Sequence, residues 1–256
     1  MANHSEESST TGRRSFMRRL HYWWSLFLAG ALLGVLGPPI LLFSWLVNKH
    51  ELVYPWASFG ARAWLRLSGV RIKVQGLELL DPKRPYVFVS NHRSYLDTAA
   101  IFVYTGRRIG VLAKKELLKV PVLGVGMGFV NVMAIDRTNR ESAIRTTEAA
   151  AKRIQSGVSF AVFVEGTRAK PGELLPFKKG AFYMARQAGV PVVPVAIKNS
   201  DVLMGKGTGE AVAGTIEMVM MSPVETVNVS TDEDINELIA TVRARIATEL
   251  ETGLQD

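Results

Sequence analysis

The sequence predicts an α/β fold: a mixed central sheet flanked by helices, with a membrane-embedded helical hairpin ahead of it. Three observations carry this expectation. Short apolar runs of β character alternate with helical stretches after residue 70, the pattern of a sheet covered by helices. An apolar stretch from Tyr22 to Val47 contains no charged residue, and basic residues stand on both sides of it. The chain has 256 residues, enough for one large α/β domain with an appendage. We divide it into a disordered basic N-terminus (1–20), a membrane-embedded hairpin with an interfacial helix (21–69) and an α/β domain (70–256).

Taken in order, residues 1–12 are small and polar and are expected to lack regular structure. Arg13, Arg14, Arg18 and Arg19 follow, then Tyr22, Trp23 and Trp24. Basic residues, then aromatics, then a long uncharged run mark the edge of a bilayer. A cleaved signal peptide has a shorter apolar core and no aromatic residues at both ends. Gly37-Pro38-Pro39 interrupts the run, and prolines remove backbone donors and clash with the preceding turn. Each half, residues 23–36 and 40–49, is too short to cross about 30 Å of hydrocarbon at about 1.5 Å per residue. Lys49, Arg62 and Arg66 follow the run, so neither flank has the composition of a translocated segment. We therefore expect a hairpin that dips into one leaflet rather than a crossing, on the cytoplasmic face of the inner (plasma) membrane.

From residue 54 to 69, Trp56, Phe59, Ala63, Trp64 and Leu67 recur at helical spacing with Arg62 and Arg66 opposite, an interfacial amphipathic helix. Residues 86–90, 109–113, 132–135, 159–164 and 192–197 read as buried strands. Thr138-Asn139-Arg140-Glu141 has the spacing of a capping box and opens a helix to about Ser156. Residues 205–214 read as a loop. The last helix starts near Thr231, with Asp232, Glu233 and Asp234 at its positive end. Ile235, Leu238, Ile239, Val242, Ile246 and Leu250 form its apolar stripe.

Lys plus Arg number 31 against 23 Asp plus Glu, a net charge of +8. That surplus suits nucleic acid, an anionic membrane or a phosphorylated substrate, and beside a membrane segment we assign it to lipid, with no nucleic-acid partner. The absence of cysteine removes disulfides, thiolate nucleophiles and Cys-based metal sites together. His4, His21, His50 and His92 are scattered, so neither a metal nor a cofactor is expected. No G-x-S-x-G elbow exists: Gly157-Val158-Ser159-Phe160-Ala161 fails at its last position. Gly124, Gly126 and Gly128 do not complete G-x-G-x-x-G, and no Walker lysine pattern occurs.

Asn91-His92-Arg93-Ser94-Tyr95-Leu96-Asp97 begins where the run 86–90 ends, and strand ends in α/β folds collect reacting groups. If a helix starts just after His92, the Asp97 carboxylate returns to the imidazole and fixes its tautomer. The other ring nitrogen is then free to take a proton from a hydroxyl.

The chain resembles the 1-acylglycerol-3-phosphate acyltransferase family, a glycerolipid acyltransferase fold, in four blocks spread over roughly residues 70–200. His92 and Asp97 match its H-x₄-D. Ala134-Ile135-Asp136-Arg137 is similar to its second block, with Ala134 where a bulky residue is usual. Phe163-Val164-Glu165-Gly166-Thr167-Arg168 matches the third. Val190-Pro191-Val192-Val193-Pro194-Val195 is similar to the fourth, joined by Leu175-Pro176-Phe177-Lys178-Lys179-Gly180. The resemblance implies His92 and Asp97 as catalytic residues and Lys114, Arg137, Glu165, Gly166, Thr167 and Arg168 around the substrate, with Lys114 a phosphate contact. Physically, Arg168 suits a phosphate through paired donors, or else is a surface residue pairing with Glu165. Asp136 and Arg137 either bind a head group or form a structural ion pair, and Lys115 is expected to be solvated.

The reaction so implied moves an acyl chain from a thioester donor, acyl-CoA or acyl-carrier protein, to the hydroxyl of a lysophospholipid. Lysophosphatidic acid is the leading acceptor, with another lysophospholipid or a lyso-aminolipid behind it. Direct attack needs a base, alignment and an oxyanion site, for which a backbone N–H near the start of the helix after His92 is the expected donor. A non-catalytic lipid-transfer protein would not need His92 and Asp97 together, and a lipid hydrolase would be expected to carry a serine elbow.

Overall fold

The computed structural model describes residues 3–252. Met1, Ala2 and the last four residues lie outside the described part. Helix α1 (Asn3–Leu46) leads through a 3-10 turn into α2 (Val53–Leu67). Strand β1 (Val70–Gln75) and β2 (Val87–Ser90) precede α3 (Leu96–Tyr104). Then come β3 (Ile109–Lys114), the short α4 (Leu123–Met127), β4 (Val132–Ile135) and α5 (Arg140–Gln155). Strand β5 (Ser159–Phe163), α6 (Gly180–Ala188), β6 (Val192–Lys198), the short α7 (Ser200–Met204), β7 (Gly214–Met220) and α8 (Asp232–Glu251) complete the chain.

The strands form one seven-stranded sheet in the order β1-β7-β6-β2-β5-β3-β4. All neighbours are parallel except β6 and β7, which run antiparallel. Two strands went unread in the sequence. In β1, Arg71, Lys73 and Gln75 alternate with apolar residues at a sheet edge, and the first half of β7 follows directly on a glycine-rich loop.

Side chains alternate faces along each strand, and two cores result. Phe88, Val193, Val195 and Ile197 meet α2 and α3 through Leu65, Leu96 and Ile101, with Tyr22 and Leu26 of α1 against them. Val87, Val89, Val192 and Ala196 meet α5, α6 and α8 through Ile154, Phe182 and Ile235 on the other face. The predicted stripe of α8 is the buried one, and Thr231 with Asp234 closes a capping box at its start. At α5 the cap is Asn139, whose side chain accepts from the Ser142 amide, one residue later than Thr138, because Thr138 is taken by Asp136.

The N-terminal segment differs from expectation in two ways. The helix begins at Asn3, so the polar opening residues are helical from there, continuing the apolar run at low cost once it is nucleated. The helix also passes through Pro38 and Pro39 without reversing. Proline's fixed φ is compatible with a helix. Gly37 also lets α1 approach its neighbour: a Cβ there would lie 2.2 Å from Cγ1 of Val122. The reversal falls instead after Leu46, where Asn48 takes φ 50° and the Ser44 hydroxyl donates to the Lys49 carbonyl. The hairpin is therefore α1 against α2, not two halves of one apolar run. Among the described residues, 12–46 form the one helix long and apolar enough to cross a membrane. Trp23, Phe27, Trp45, Trp56 and Phe59 are exposed along the two helices, more apolar surface than a soluble domain leaves open.

Candidate active site

The parallel order brings the C-terminal ends of β2, β5, β3 and β4 together, where loops carry reacting groups. Asn91 fixes the first loop: its amide nitrogen donates to the Ile197 carbonyl (2.9 Å) and its oxygen accepts from the Ile197 amide (2.8 Å). His92 follows, and α3 begins four residues later. The Asp97 carboxylate is fully buried, and its Oδ2 accepts from the Arg93 amide (2.7 Å), the Ser94 amide (2.8 Å) and Nδ1–H of His92 (2.9 Å). A ring that donates from Nδ1 carries its acceptor lone pair on Nε2, and Nε2 makes no hydrogen bond among the described residues. The ring stacks on Phe163 with centroids 4.0 Å apart.

Two groups that sequence reasoning missed hold this loop. Arg93 is buried, with Nη1 3.2 Å from Asp201 Oδ2 and Nε donating to the Glu173 carbonyl. Asp201 also accepts from the Gly172 amide, so one carboxylate ties α7, the 172–173 turn and the His92 loop together. Ser94 donates from its hydroxyl to the Met204 carbonyl. The only sequence signal for the ion pair is a charged residue directly after His92, and its partner lies 108 positions away.

The loop after β5 is laced to His92. Glu165 Oε1 accepts from the His92 amide (2.7 Å), and the Ala169 amide donates to the His92 carbonyl (2.8 Å). Glu165 Oε2 accepts from the Leu175 amide (2.7 Å). Burial pushes the Glu165 carboxyl up, and the two backbone donors pull against it. Both Glu165 oxygens are thus occupied, which makes it a brace for the loop and frees Arg168 from the ion pair weighed above. Gly166 has φ 72°, and a Cβ there would meet nothing closer than 3.5 Å. Its glycine serves the left-handed turn rather than a lack of room. The Arg168 guanidinium lies 3.6 Å from the centroid of the Tyr95 ring, and Thr167 is exposed.

The remaining candidates sit at the same edge. Lys114 ends β3, exposed, with Nζ 3.6 Å from Glu116. Arg137 donates to the Gly166 carbonyl, joining the loops after β4 and β5. Asp136 pairs with Lys115 at 2.5 Å, so Lys115 is not simply solvated. That pair and the Thr138 contacts hold the Asp136 carboxyl well below the usual carboxylate range. The amides of Arg93 and Ser94, the first after His92, are spent on Asp97 and are not available to an oxyanion. Among the described residues no group of His, Asp and Glu could hold a metal ion.

Residues 71–198 match the family described as Acyltransferase. A 1-acyl-sn-glycerol-3-phosphate acyltransferase of Saccharomyces cerevisiae is 33% identical over 235 residues, covering 88% of this chain and 76% of the relative. The chain belongs to the 1-acylglycerol-3-phosphate acyltransferase family. An uncharacterized acyltransferase of Schizosaccharomyces pombe is 40% identical over 173 residues, and the human 1-acyl-sn-glycerol-3-phosphate acyltransferase alpha 35% over 168. The aligned regions span 61% and 59% of those two relatives. The crystal structure of the 1-acyl-sn-glycerophosphate (LPA) acyltransferase PlsC from Thermotoga maritima superposes with a TM-score of 0.79 at 25% identity, covering 96% of this chain and 99% of that one. That coverage takes in both the sheet and the N-terminal helices.

Proposed function

We propose that the protein transfers an acyl chain from a thioester donor to the free hydroxyl of lysophosphatidic acid, giving phosphatidic acid. The observation that carries this is the His92–Asp97 pair at the C-terminal end of central strand β2, within a family whose members are so named. Asp97 holds Nδ1–H, so Nε2 accepts the hydroxyl proton as the oxygen attacks the thioester carbonyl. The tetrahedral intermediate then collapses, the thiolate leaves, and imidazolium returns a proton to it. Asp97 steadies the imidazolium charge without itself taking the proton. Arg168, oriented on Tyr95, and Lys114 supply cations for the acceptor's phosphate. The exposed aromatic faces of α1 and α2 seat the enzyme on the cytoplasmic leaflet where the lysolipid already lies.

The test is a panel of lysolipids and donors with purified enzyme in detergent, run beside His92→Ala. We expect the fastest transfer to lysophosphatidic acid. His92→Ala should lose at least about 10²–10⁴-fold in kcat, the usual scale of general-base catalysis. A variant within threefold of wild type would remove His92 from the mechanism, and an acceptor preference indifferent to the phosphate would remove lysophosphatidic acid.

A further inference from the structure

Between β3 and β4 the chain passes beside α1. Residues 114–121 are exposed without interruption, and Leu117, Leu118 and Val120 are among them. Val125 of α4 also stands open. A strained turn holds the segment in place. The Leu123 amide donates to the Pro121 carbonyl (2.7 Å), and Val122 between them takes φ 65° and ψ −53°. Those angles belong to the rarer, strained form of the γ-turn, and a β-branched residue fits them poorly. Such a backbone persists only where its surroundings fix it, and here α1 does so. A Cβ on Gly37 would collide with Cγ1 of Val122, and one on Gly126 would touch Leu41. Within the segment, Gly124 lies so close to the Leu118 carbonyl that a Cβ would collide with it. The turn thus docks the segment on α1 and leaves four aliphatic side chains exposed.

We infer that residues 117–125 enter the same leaflet as α1 and α2, a third membrane contact made by the α/β domain itself. The inference rests on the proposed seating of α1 and α2, and adds to it a loop that follows directly on Lys114 at the end of β3. Three arguments support it. The first is exposure: a soluble domain seldom leaves Leu117, Leu118, Val120 and Val125 together in water. The second is continuity. The segment abuts α1 at Gly37 and Leu41, and the neighbouring Leu42, Phe43, Trp45 and Leu46 of that helix are exposed as well. The third is charge. No acidic residue occurs from Leu117 to Ile135, and Glu116 just before them lies 3.6 Å from Lys114. Lys119, set among the aliphatic residues, enters no ion pair among the described residues. Such a lysine lays its stem along hydrocarbon and its ammonium at the level of anionic head groups. An apolar patch on a protein partner would satisfy the leucines alone, whereas a leaflet satisfies the leucines, the lysine and the adjoining flank of α1 together.

Because the chain has no cysteine, single reporters test this. Leu118→Cys and Val125→Cys probe the segment, at positions 53% and 64% exposed. Phe59→Cys probes α2, and Val227→Cys, 81% exposed ahead of α8, is the remote control. Each carries a nitrobenzoxadiazole label. The proteins are reconstituted on vesicles of phosphatidylcholine and phosphatidylglycerol, with and without a nitroxide on the acyl chains. Labels at 118 and 125 should emit to the blue of the label at 227 and lose most of their intensity to the nitroxide, as the label at 59 does. Leu118→Lys/Val125→Lys should lower vesicle affinity by about tenfold or more, since withdrawing one aliphatic side chain from hydrocarbon is already worth about that factor. Its transfer rate on detergent-solubilised lysophosphatidic acid should stay at the wild-type value. Labels at 118 and 125 that escape the nitroxide while the label at 59 is quenched overturn the inference and leave the seating of α2 intact. A blue shift without quenching also overturns it, and gives the face to a protein contact. Equal quenching at 227 shows adsorption without orientation and overturns it too. Quenching at 118 and 125 without quenching at 59 upholds the segment and refutes the seating of α2, and no quenching at any of the three refutes both. Melting temperatures matching wild type show intact folds, and either segment reporter suffices if the other is destabilised.

Discussion

At the scale of single residues, the candidate site is organised by two carboxylates that accept from backbone amides and the imidazole. Asp97 Oδ2 gathers two amides and the imidazole, and Glu165 clamps the His92 amide to the 175 segment. Arg168 is different: Glu165 is spent on backbone amides, and among the described residues the guanidinium lies over the Tyr95 ring with no ion pair. If it holds the acceptor phosphate, losing that charge-assisted contact costs about 1.5–3 kcal/mol, roughly 10–150-fold in kcat/KM. Arg168→Ala should show that loss on lysophosphatidic acid and much less on monoacylglycerol, which has no phosphate. Arg168→Lys should recover only part, since it lacks the planar fork. Equal losses on both acceptors would make Arg168 structural. The His92–Asp97 contact could be read because only five positions separate the two, and the fold places them 2.9 Å apart; the roles of His92 and Arg168 belong to the proposed function. The Arg93–Asp201 pair could not be read, since two buried charges far apart in sequence leave no local pattern.

At the scale of elements, what could be read was whatever is written locally. The stripe of α8 and the central strands β2, β3, β5 and β6 bury continuous or periodic apolar runs, and these stood out. Edge strand β1 and the late strand β7 did not, because pairing rather than sequence makes them strands. The α8 cap offers a test of such local writing. Backbone and hydroxyl donors of Thr231 and Ser230 hold the Asp234 carboxyl down at about 2, from an ordinary value of 3.8. A depressed carboxylate stabilises the fold above its ordinary value, and that contribution is lost as pH falls from about 4 towards 2. Asp234→Asn should therefore flatten the dependence of melting temperature on pH in that window. Thr231→Ala should cost about 1 kcal/mol near neutrality, about 2–4 °C in a chain of this size. An unchanged acid profile in Asp234→Asn would show that the cap does not act on global stability.

At the scale of the whole molecule, the continuous α1 reopens the question of a crossing. With no break at Pro38, length no longer forbids a span. Contacts with the α/β domain argue against one. Near the start of the apolar run the Ala211 amide donates to the Arg18 carbonyl, and Glu210 accepts from Ser15 and lies 3.8 Å from Arg18. Towards its end Gly37 packs on Val122, and Ile40 and Leu41 pack with Val130. Arg18 and Leu41 are 23 residues apart, about 35 Å of helix, and both ends of that length touch the same folded domain. A helix crossing the bilayer would drag those polar loops through hydrocarbon, where unsatisfied backbone groups each cost several kcal/mol. On the single-leaflet reading proposed above, α1 lies along the domain and one apolar flank enters the membrane. The chain's lack of cysteine makes this directly measurable. Met17→Cys and Lys49→Cys, both exposed, should react with a membrane-impermeant maleimide from the same side, the cytoplasmic one. Labelling of one from outside cells and of the other only in inverted vesicles would establish a crossing and detach the membrane from the α2 face.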